Sequence, residues 1–483
     1  MKSIKFISFL YTFINIFFVL SINALPNLVK KVDTITPYYY DQYIDHFNKN
    51  SGTFKQKYYV NSTFYKPGAP IFITTAGESH ITKNQVTLSG LSEIAASFNG
   101  LMITIEHRFY GESYPPVSKL TTKNLKKIHT VEQALADFAN FIANPPNIPK
   151  KSKWIFVGGS YAGNIATWMR KKYPSLVFAA WASSAPLLAK LDFFEYDLAV
   201  GQALPCRNDI ISSVENFIDP ILHSGDRIKI ASLKSLFGLL VLEDDQDFAS
   251  ALVSPIAAMV QTYFPPTSPQ EIDSIPFFCK AFDDAPSKDP AVLTAIYAQI
   301  YKYFLQAKGL TTNEAILEAY ATTYITLNND VTSYYFQFCS EFGFYQTAPQ
   351  PPLKRLRSSI VNIAYFNKQC KYLFPGILSP QVEKFNKVYG GNIGIFSRTI
   401  FTIGENDPWT PLTIAGRAGG ESSDIIAKNI KNNYAYIIAN GSHANDLRFP
   451  TPQDSESLLK ARIFVKETLA KFIKSYDATS SVI

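Results

Sequence analysis

Charge is scarce in this 483-residue sequence: Asp, Glu, Lys and Arg make up 18% of it, and no basic run extends beyond a few residues. The formal net charge of +7 is spread along the chain, so no nucleic-acid partner is expected. A glycine-rich phosphate loop is missing, and no His, Cys, Asp or Glu cluster has metal-ligand spacing. Neither nucleotide, metal nor any other cofactor is implied. No internal repeat divides the chain, and beyond the N-terminal segment no apolar run could span a bilayer. Cysteine is limited to Cys206, Cys279, Cys339 and Cys370. What is plentiful is apolar and aromatic: 47% hydrophobic residues, with 28 Tyr and 37 Phe, exclude disorder over most of the length. A chain of this size can bury a large core, as two or three domains or as one large domain with an insertion.

The first residues read Met1-Lys-Ser-Ile-Lys5, then an apolar stretch from Phe6 to Leu20, then Ser21-Ile-Asn-Ala24 before Leu25-Pro26. That pattern predicts a secretory signal peptide, 1–24, cleaved after Ala24. An uncleaved anchor competes, but Asn15 interrupts a run that falls short of the roughly 20 residues a span needs. The expected destination is extracellular or lysosomal, with no stable membrane association after cleavage. Export makes the four cysteines two disulfides. Three pairings are open; since all four fall in the inserted region described below, pairing of sequence neighbours is expected, Cys206 with Cys279 and Cys339 with Cys370. Asn61-Ser-Thr63 is a candidate glycosylation site, whereas Asn440-Gly-Ser442 abuts a candidate catalytic residue and is not expected to be occupied.

Residues 25–55 read as a polar, aromatic lead-in arm. From Lys57 onward Tyr58-Tyr-Val60, Pro70-Ile-Phe-Ile-Thr-Thr75 and Leu101-Met-Ile-Thr-Ile105 predict strands. Thr130-Val-Glu-Gln133 is a capping box that opens an amphipathic helix with Val131, Leu135, Phe138 and Ile142 on its apolar face. Trp154 to Gly159 is a strand, Asn164 to Lys172 a helix and Val177 to Trp181 a strand. Alternating strands and helices imply a mostly parallel sheet covered on both faces. From about Leu188 to Gly390 the pattern turns helical, with Pro-rich joints at Phe264-Pro-Pro-Thr-Ser-Pro269 and Ala348-Pro-Gln-Pro-Pro352. Strands then return at Arg398 to Ile403 and Tyr434 to Ala439, followed by a closing helix from Ser455 to Lys474. The expected architecture is an α/β sheet domain, 25–187 and 391–483, with a helical cap, 188–390, inserted before the last strands.

In Trp154-Ile-Phe-Val-Gly-Gly-Ser-Tyr-Ala-Gly163 an apolar strand runs into a small-residue turn and then a helix, the context of a nucleophile elbow with Ser160 at its tip. A Gly-x-Ser-x-Gly/Ala match alone is weak, because a plain Gly/Ser turn looks the same. A nucleophilic serine needs a base and an acid to orient it, and on an α/β-hydrolase sheet they follow in the order Ser, acid, His. Only His223 and His443 follow Ser160, and only His443 follows a strand of the sheet. Asp407 occupies the loop after the preceding strand; it could serve as a mere turn former before Pro408, with Glu405 the substitute acid. His46 and His107 read as structural partners of carboxylates. Acyl transfer also needs two oxyanion donors. The amide of Tyr161 should supply one, and Gly77 or Glu78 in the loop after an early strand the other.

Eight blocks carry a resemblance: Gln42-Tyr-Ile-Asp-His-Phe47, Glu106-His-Arg-Phe-Tyr-Gly-Glu-Ser113, Gln133-Ala-Leu-Ala-Asp137, Gly158-Gly-Ser-Tyr-Ala-Gly163, Gln337-Phe-Cys-Ser-Glu-Phe-Gly343, Tyr389-Gly-Gly391, Asp407-Pro-Trp409 and His443-Ala-Asn-Asp-Leu-Arg448. In this order they resemble the serine peptidase family that contains lysosomal Pro-X carboxypeptidase, dipeptidyl peptidase II and thymus-specific serine protease. The resemblance implies an α/β-hydrolase fold with a helical cap and matches Ser160, Asp407 and His443 to the family triad. It also implies that Trp409 lines the pocket for a proline-like side chain, which suits a flat aromatic face. Two departures stand out: Ala162 where the family usually has Gly, and Ala444-Asn-Asp446 where it often has His-Leu-Asp. The expected activity is that of a serine exopeptidase acting on short peptide substrates after proline or a small residue. A lipase or carboxylesterase with the same triad, or a binding protein on an inactive hydrolase scaffold, are the rival readings. Direction of cleavage is not legible: a carboxypeptidase needs a cation for the substrate's carboxylate, an aminodipeptidase a carboxylate such as Glu78 or Glu341 for its ammonium. A homodimer is left open.

Overall fold

The computed structural model describes residues 35–116, 121–149, 151–264, 274–325 and 330–480. The expected signal segment and most of the joint at 264–269 lie outside them. Among the described residues ten strands form, β1 Tyr38–Tyr43, β2 Thr53–Asn61, β3 Ile71–Thr74, β4 Leu101–Ile105, β5 Trp154–Gly159, β6 Ala179–Ser183, β7 Lys190–Asp192, β8 Gly343–Tyr345, β9 Thr399–Gly404 and β10 Tyr434–Ile438. Eight of them make one sheet in the order β1-β2-β4-β3-β5-β6-β9-β10. The pairs β1/β2 and β2/β4 are antiparallel and all others parallel.

This is the α/β-hydrolase arrangement, and the sequence reads accordingly. Strands β3, β4 and β5 are nearly continuous apolar runs with Ile71, Phe72, Ile73, Ile103 and Phe156 fully buried, as a parallel strand covered on both faces requires. On one face lie helices α1 Gly90–Ser97 and α7 Glu456–Ser480, where Leu91, Val465, Leu469 and Phe472 meet Phe72, Ile155 and Trp181. The other face packs against α2 Val131–Ala143 and α3 Tyr161–Lys172, whose Leu135, Phe138, Ile165 and Trp168 join Ile73, Ile103 and Phe156.

Residues 38–43 are not a loose arm. They form edge strand β1, held by the ladder to β2 and by stacking of Tyr38 on Tyr58 at 5.4 Å. Polarity and exposure hid a strand whose tyrosines fit a pleated surface open to solvent on one side. The expected capping box is half formed. Thr130 accepts from Gln133 N at 3.2 Å, but the Gln133 side chain turns to the 45–46 loop, where its Oε1 accepts from His46 N at 3.0 Å and its Nε2 donates to Asp45 at 2.8 Å.

Between β6 and β9 the described chain is mostly helical, apart from the short parallel pair β7/β8. Disulfides join Cys206 to Cys279 and Cys339 to Cys370 within it. Three of its helices matter below: α4 Asp245–Thr262, α5 Pro290–Ala307 and α6 Ile363–Leu373. Pro255 sits inside α4, where it has no N–H and leaves the carbonyl four residues back without its usual donor. Tyr301 of α5 supplies one, donating to Ala251 O at 3.0 Å, while its neighbour Tyr297 donates to Leu252 O at 2.6 Å. In this way α5 braces α4 at its break. No helix of the described residues is long and apolar enough to cross a membrane.

Candidate active site

Strands β3, β5, β9 and β10 run parallel, so their C-terminal ends share one edge of the sheet, where open α/β sheets place their sites. At the end of β5 the chain reverses into α3 through Ser160, whose φ of 57° and ψ of −131° are strained for a residue with a side chain. The turn closes because its neighbours lack side chains. A Cβ on Gly158 would stand 2.1 Å from Ala162 O, and one on Gly163 3.0 Å from Ser183 O. Gly158→Ala is accordingly expected to destabilise the protein by about 3 kcal/mol through overpacking, read as a lower urea midpoint. Ala162 itself is the second residue of α3 with ordinary helical backbone, so its methyl group needs no glycine.

His443 follows β10 and Asp407 follows β9. The two loops touch where Gly404 passes under the His443 loop, so closely that a Cβ there would lie 2.3 Å from Ser442 O. His443 Nδ1 lies 2.9 Å from both carboxylate oxygens of Asp407, which also accepts from Trp409 N at 2.9 Å. An ionised carboxylate only accepts, so Nδ1 carries the proton and Nε2 has the free lone pair. Nε2 is buried and makes no hydrogen bond among the described residues. His443 N donates to Gln261 O at 3.2 Å at the end of α4, and Ala444 N to Ser184 Oγ at 2.9 Å. Glu405, the substitute acid, instead accepts from Asn440 N at 2.9 Å, and His223 bonds Ser359 on the exposed surface. Both are engaged away from His443.

The loop after β3 lies against the start of α3: at Gly77, with φ of 74°, a Cβ would come within 3.0 Å of Ala162 N. Gly77 N donates to Thr75 Oγ1 at 3.3 Å, and Glu78 N bonds its own carboxyl. Tyr161 is the first residue of α3, and its amide is one of those a helix start leaves without an intrahelical acceptor. Its ring is locked by a buried chain of polar groups. His107 Nδ1 faces Arg108 O at 2.7 Å and so carries hydrogen, which leaves Nε2 to accept from Tyr161 OH at 3.0 Å. Gln337 Nε2 donates to the same phenol at 2.8 Å and Tyr110 OH donates to Gln337 Oε1 at 2.6 Å. Burial keeps His107 neutral, its pKa pushed down to about 4. His46 has a carboxylate partner, Asp137 at 2.7 Å, but His107 has a carbonyl and a phenol, a correction to the sequence reading.

Ser160, Glu78, Trp409 and His443 all line one cavity of about 360 Å³. Glu341 does not. Its carboxylate accepts from Val131 N at 3.2 and 3.0 Å, at the positive end of α2, so its place in the substrate pocket is corrected to that of a helix partner. Asn61 also needs correcting: it is 5% exposed, and its Nδ2 donates to Val86 O at 2.6 Å, which leaves a glycan no room in the folded protein. Residues without a sequence signal complete the surroundings of Trp409. Gln261 Oε1 accepts from Trp409 Nε1 at 3.0 Å and from Tyr196 OH at 2.8 Å, and Tyr196, Phe193 and Phe344 surround the indole at 5.4 to 5.5 Å.

Burial pushes the Glu78 carboxyl up to about 7, while His443 acts to lower it. A group that binds its proton more tightly when folded destabilises the folded state as pH rises from the unfolded value near 4.5 to the folded value near 7. Glu78→Gln should therefore gain on the order of 3 kcal/mol over wild type at pH 7.5 and nothing at pH 4. Urea unfolding at the two pH values reads this directly.

Set against known proteins, residues 42–465 match the family model described as serine carboxypeptidase S28. A putative serine protease of Caenorhabditis elegans is 30% identical over 471 residues, covering 90% of this chain and 88% of that one. The thymus-specific serine protease of Homo sapiens is 28% identical over 460 residues, with 90% and 86% covered. A probable extracellular serine carboxypeptidase of Arthroderma benhamiae is 29% identical over 486 residues, with 88% and 66% covered.

Proposed function

The chain belongs to the serine carboxypeptidase S28 family and is a serine hydrolase, and from that premise we propose that it is an exopeptidase cleaving peptides near a terminus, after proline or a small residue. The observation that carries this reading is the cavity over Ser160 and His443, roofed by the helical stretch and walled by Trp409, Tyr196 and Phe344. Flat aromatic faces suit a rigid apolar ring, and a roofed site favours chain ends over loops of folded proteins.

In this mechanism Ser160 Oγ attacks the scissile carbonyl carbon and its proton passes to His443 Nε2. Asp407 holds Nδ1–H and so stabilises the imidazolium. The tetrahedral oxyanion accepts from Tyr161 N–H and, as second donor, from the Gly77 or Glu78 N–H once that amide gives up its bond within the loop. His443 then protonates the leaving amine, and the same groups activate water to release the acyl chain. Residues 25–187 and 391–483 would form the catalytic domain and 188–390 the cap, reached by secretion through cleavage after Ala24 to an extracellular or lysosomal destination.

Hydrolysis of proline-containing peptides, with products read from both ends by mass spectrometry, tests the proposal. Cleavage near one end after proline or alanine is expected. Turnover of simple esters with every peptide left intact would contradict it.

A further inference from the structure

Beyond the catalytic groups, the same cavity is lined by Asp247, Tyr365 and Gln369 of the helical stretch. Asp247 is 4% exposed, yet every donor it has among the described residues is neutral. Thr322 N donates at 2.9 Å, Thr322 Oγ1 at 2.7 Å and Tyr365 OH at 2.9 Å. Since both hydroxyls spend their hydrogens on Asp247, Gln369 must donate to them, which it does from Nε2 at 2.8 Å each. That settles the orientation of the amide and leaves Gln369 Oε1 as a buried acceptor with no partner among the described residues. A carboxylate without a countercharge and an orphaned carbonyl on one cavity wall both lack the same thing, a cationic hydrogen-bond donor. Burial meanwhile holds the Asp247 carboxyl above its usual range, as an uncompensated charge should.

The nearby cation does not change this balance. Arg357 lines the cavity, but its Nε and Nη2 are committed to Asp197 in a bidentate pair at 2.7 and 2.9 Å. The wall therefore offers an unmatched negative site and no matching positive one at this end.

The geometry points to Asp247 and Gln369 as an anchor for a primary ammonium group of the peptide substrate, its N-terminal amine or a lysine side chain. This rests on the peptidase reading above and adds a direction and a length to it. Asp247 and Gln261 are both on α4, 14 residues apart, which is about 21 Å along a helix. Gln261 carries the main-chain bond to His443, so the anchor stands about 20 Å from the catalytic end. An extended peptide covers about 3.3 Å per residue, so the anchored ammonium lies about six residues upstream of the cleaved bond. The enzyme would measure from the N-terminal side and release short oligopeptides.

The test compares peptides carrying one proline at positions two to eight, each with a free N-terminus, with an acetylated one, and acetylated with lysine five residues before the proline. Full-length wild type, Asp247→Asn and Gln369→Met are assayed, with fluorophosphonate labelling of Ser160 reporting that each variant is folded. For wild type, kcat/KM should peak with the proline at about position six, and acetylation should lower it about 10-fold or more. Restoration by the lysine would assign the anchored group to a side chain; no restoration would assign it to the N-terminal amine. Asp247→Asn should erase the difference between free and acetylated peptides, and Gln369→Met should reduce it several-fold. Equal rates for all three wild-type substrates would overturn the anchor while leaving the peptidase reading intact, as would a strict requirement for a free C-terminus. No cleavage of any peptide would overturn both.

Discussion

His443→Ala is expected to lower kcat by about 10⁶-fold, because a serine hydroxyl without a base is a poor nucleophile at neutral pH. The structure offers no stand-in among the described histidines. His223 is bonded to Ser359 on the surface, and His107 is sealed behind Tyr161 with both nitrogens engaged. What survives in the variant is the oxyanion site and substrate binding. The fold should be kept: the loop is held by main-chain bonds, His443 N to Gln261 O at 3.2 Å and Asn406 N to Gly441 O at 2.8 Å, neither of which uses the imidazole. Steady-state kinetics beside a thermal melt separates the two, with the rate collapsing and Tm moving by a few degrees.

Asp407→Asn should be nearly as damaging, about 10⁴-fold in kcat, for a different reason. The carboxylate accepts Nδ1–H of His443 and also Trp409 N–H at 2.9 Å. An asparagine carbonyl can still accept from Trp409 N, so the loop keeps its shape. Its amide then presents hydrogens to Nδ1, which favours the tautomer with the proton on Nε2, where the base must be empty. The loss should appear in kcat with KM little changed, and the two variants combined should lose little more than His443→Ala alone, because the residues act as a unit.

Much of this was legible in the sequence, for physical reasons. Strands β3, β4, β5 and β9 are buried on both faces and so announce themselves as apolar runs, and the residues after their ends fall at one sheet edge by topology alone. Chain order then singled out His443 and Asp407. Strand β1 escaped because an exposed edge carries polar and aromatic residues that also suit a loop. The sequon at Asn61 misled because its asparagine amide satisfies Val86 O, a contact between separate elements that no local pattern encodes. Glu341 shares its block with Gln337 and Cys339, yet its partner is a helix start 210 residues away. Gln261 and Asp247 were invisible for the same reason: α4 reads as an ordinary cap helix, and only its packing over the sheet edge brings them to the cavity.

Fluorophosphonate labelling followed by intact-mass and peptide mapping tests the central claim, that Ser160 is a nucleophile activated by His443. A single adduct on Ser160 of the native protein, absent from Ser160→Ala and strongly slowed in His443→Ala, is the predicted result. A folded protein that takes up no label, or an adduct that persists in Ser160→Ala, would contradict it.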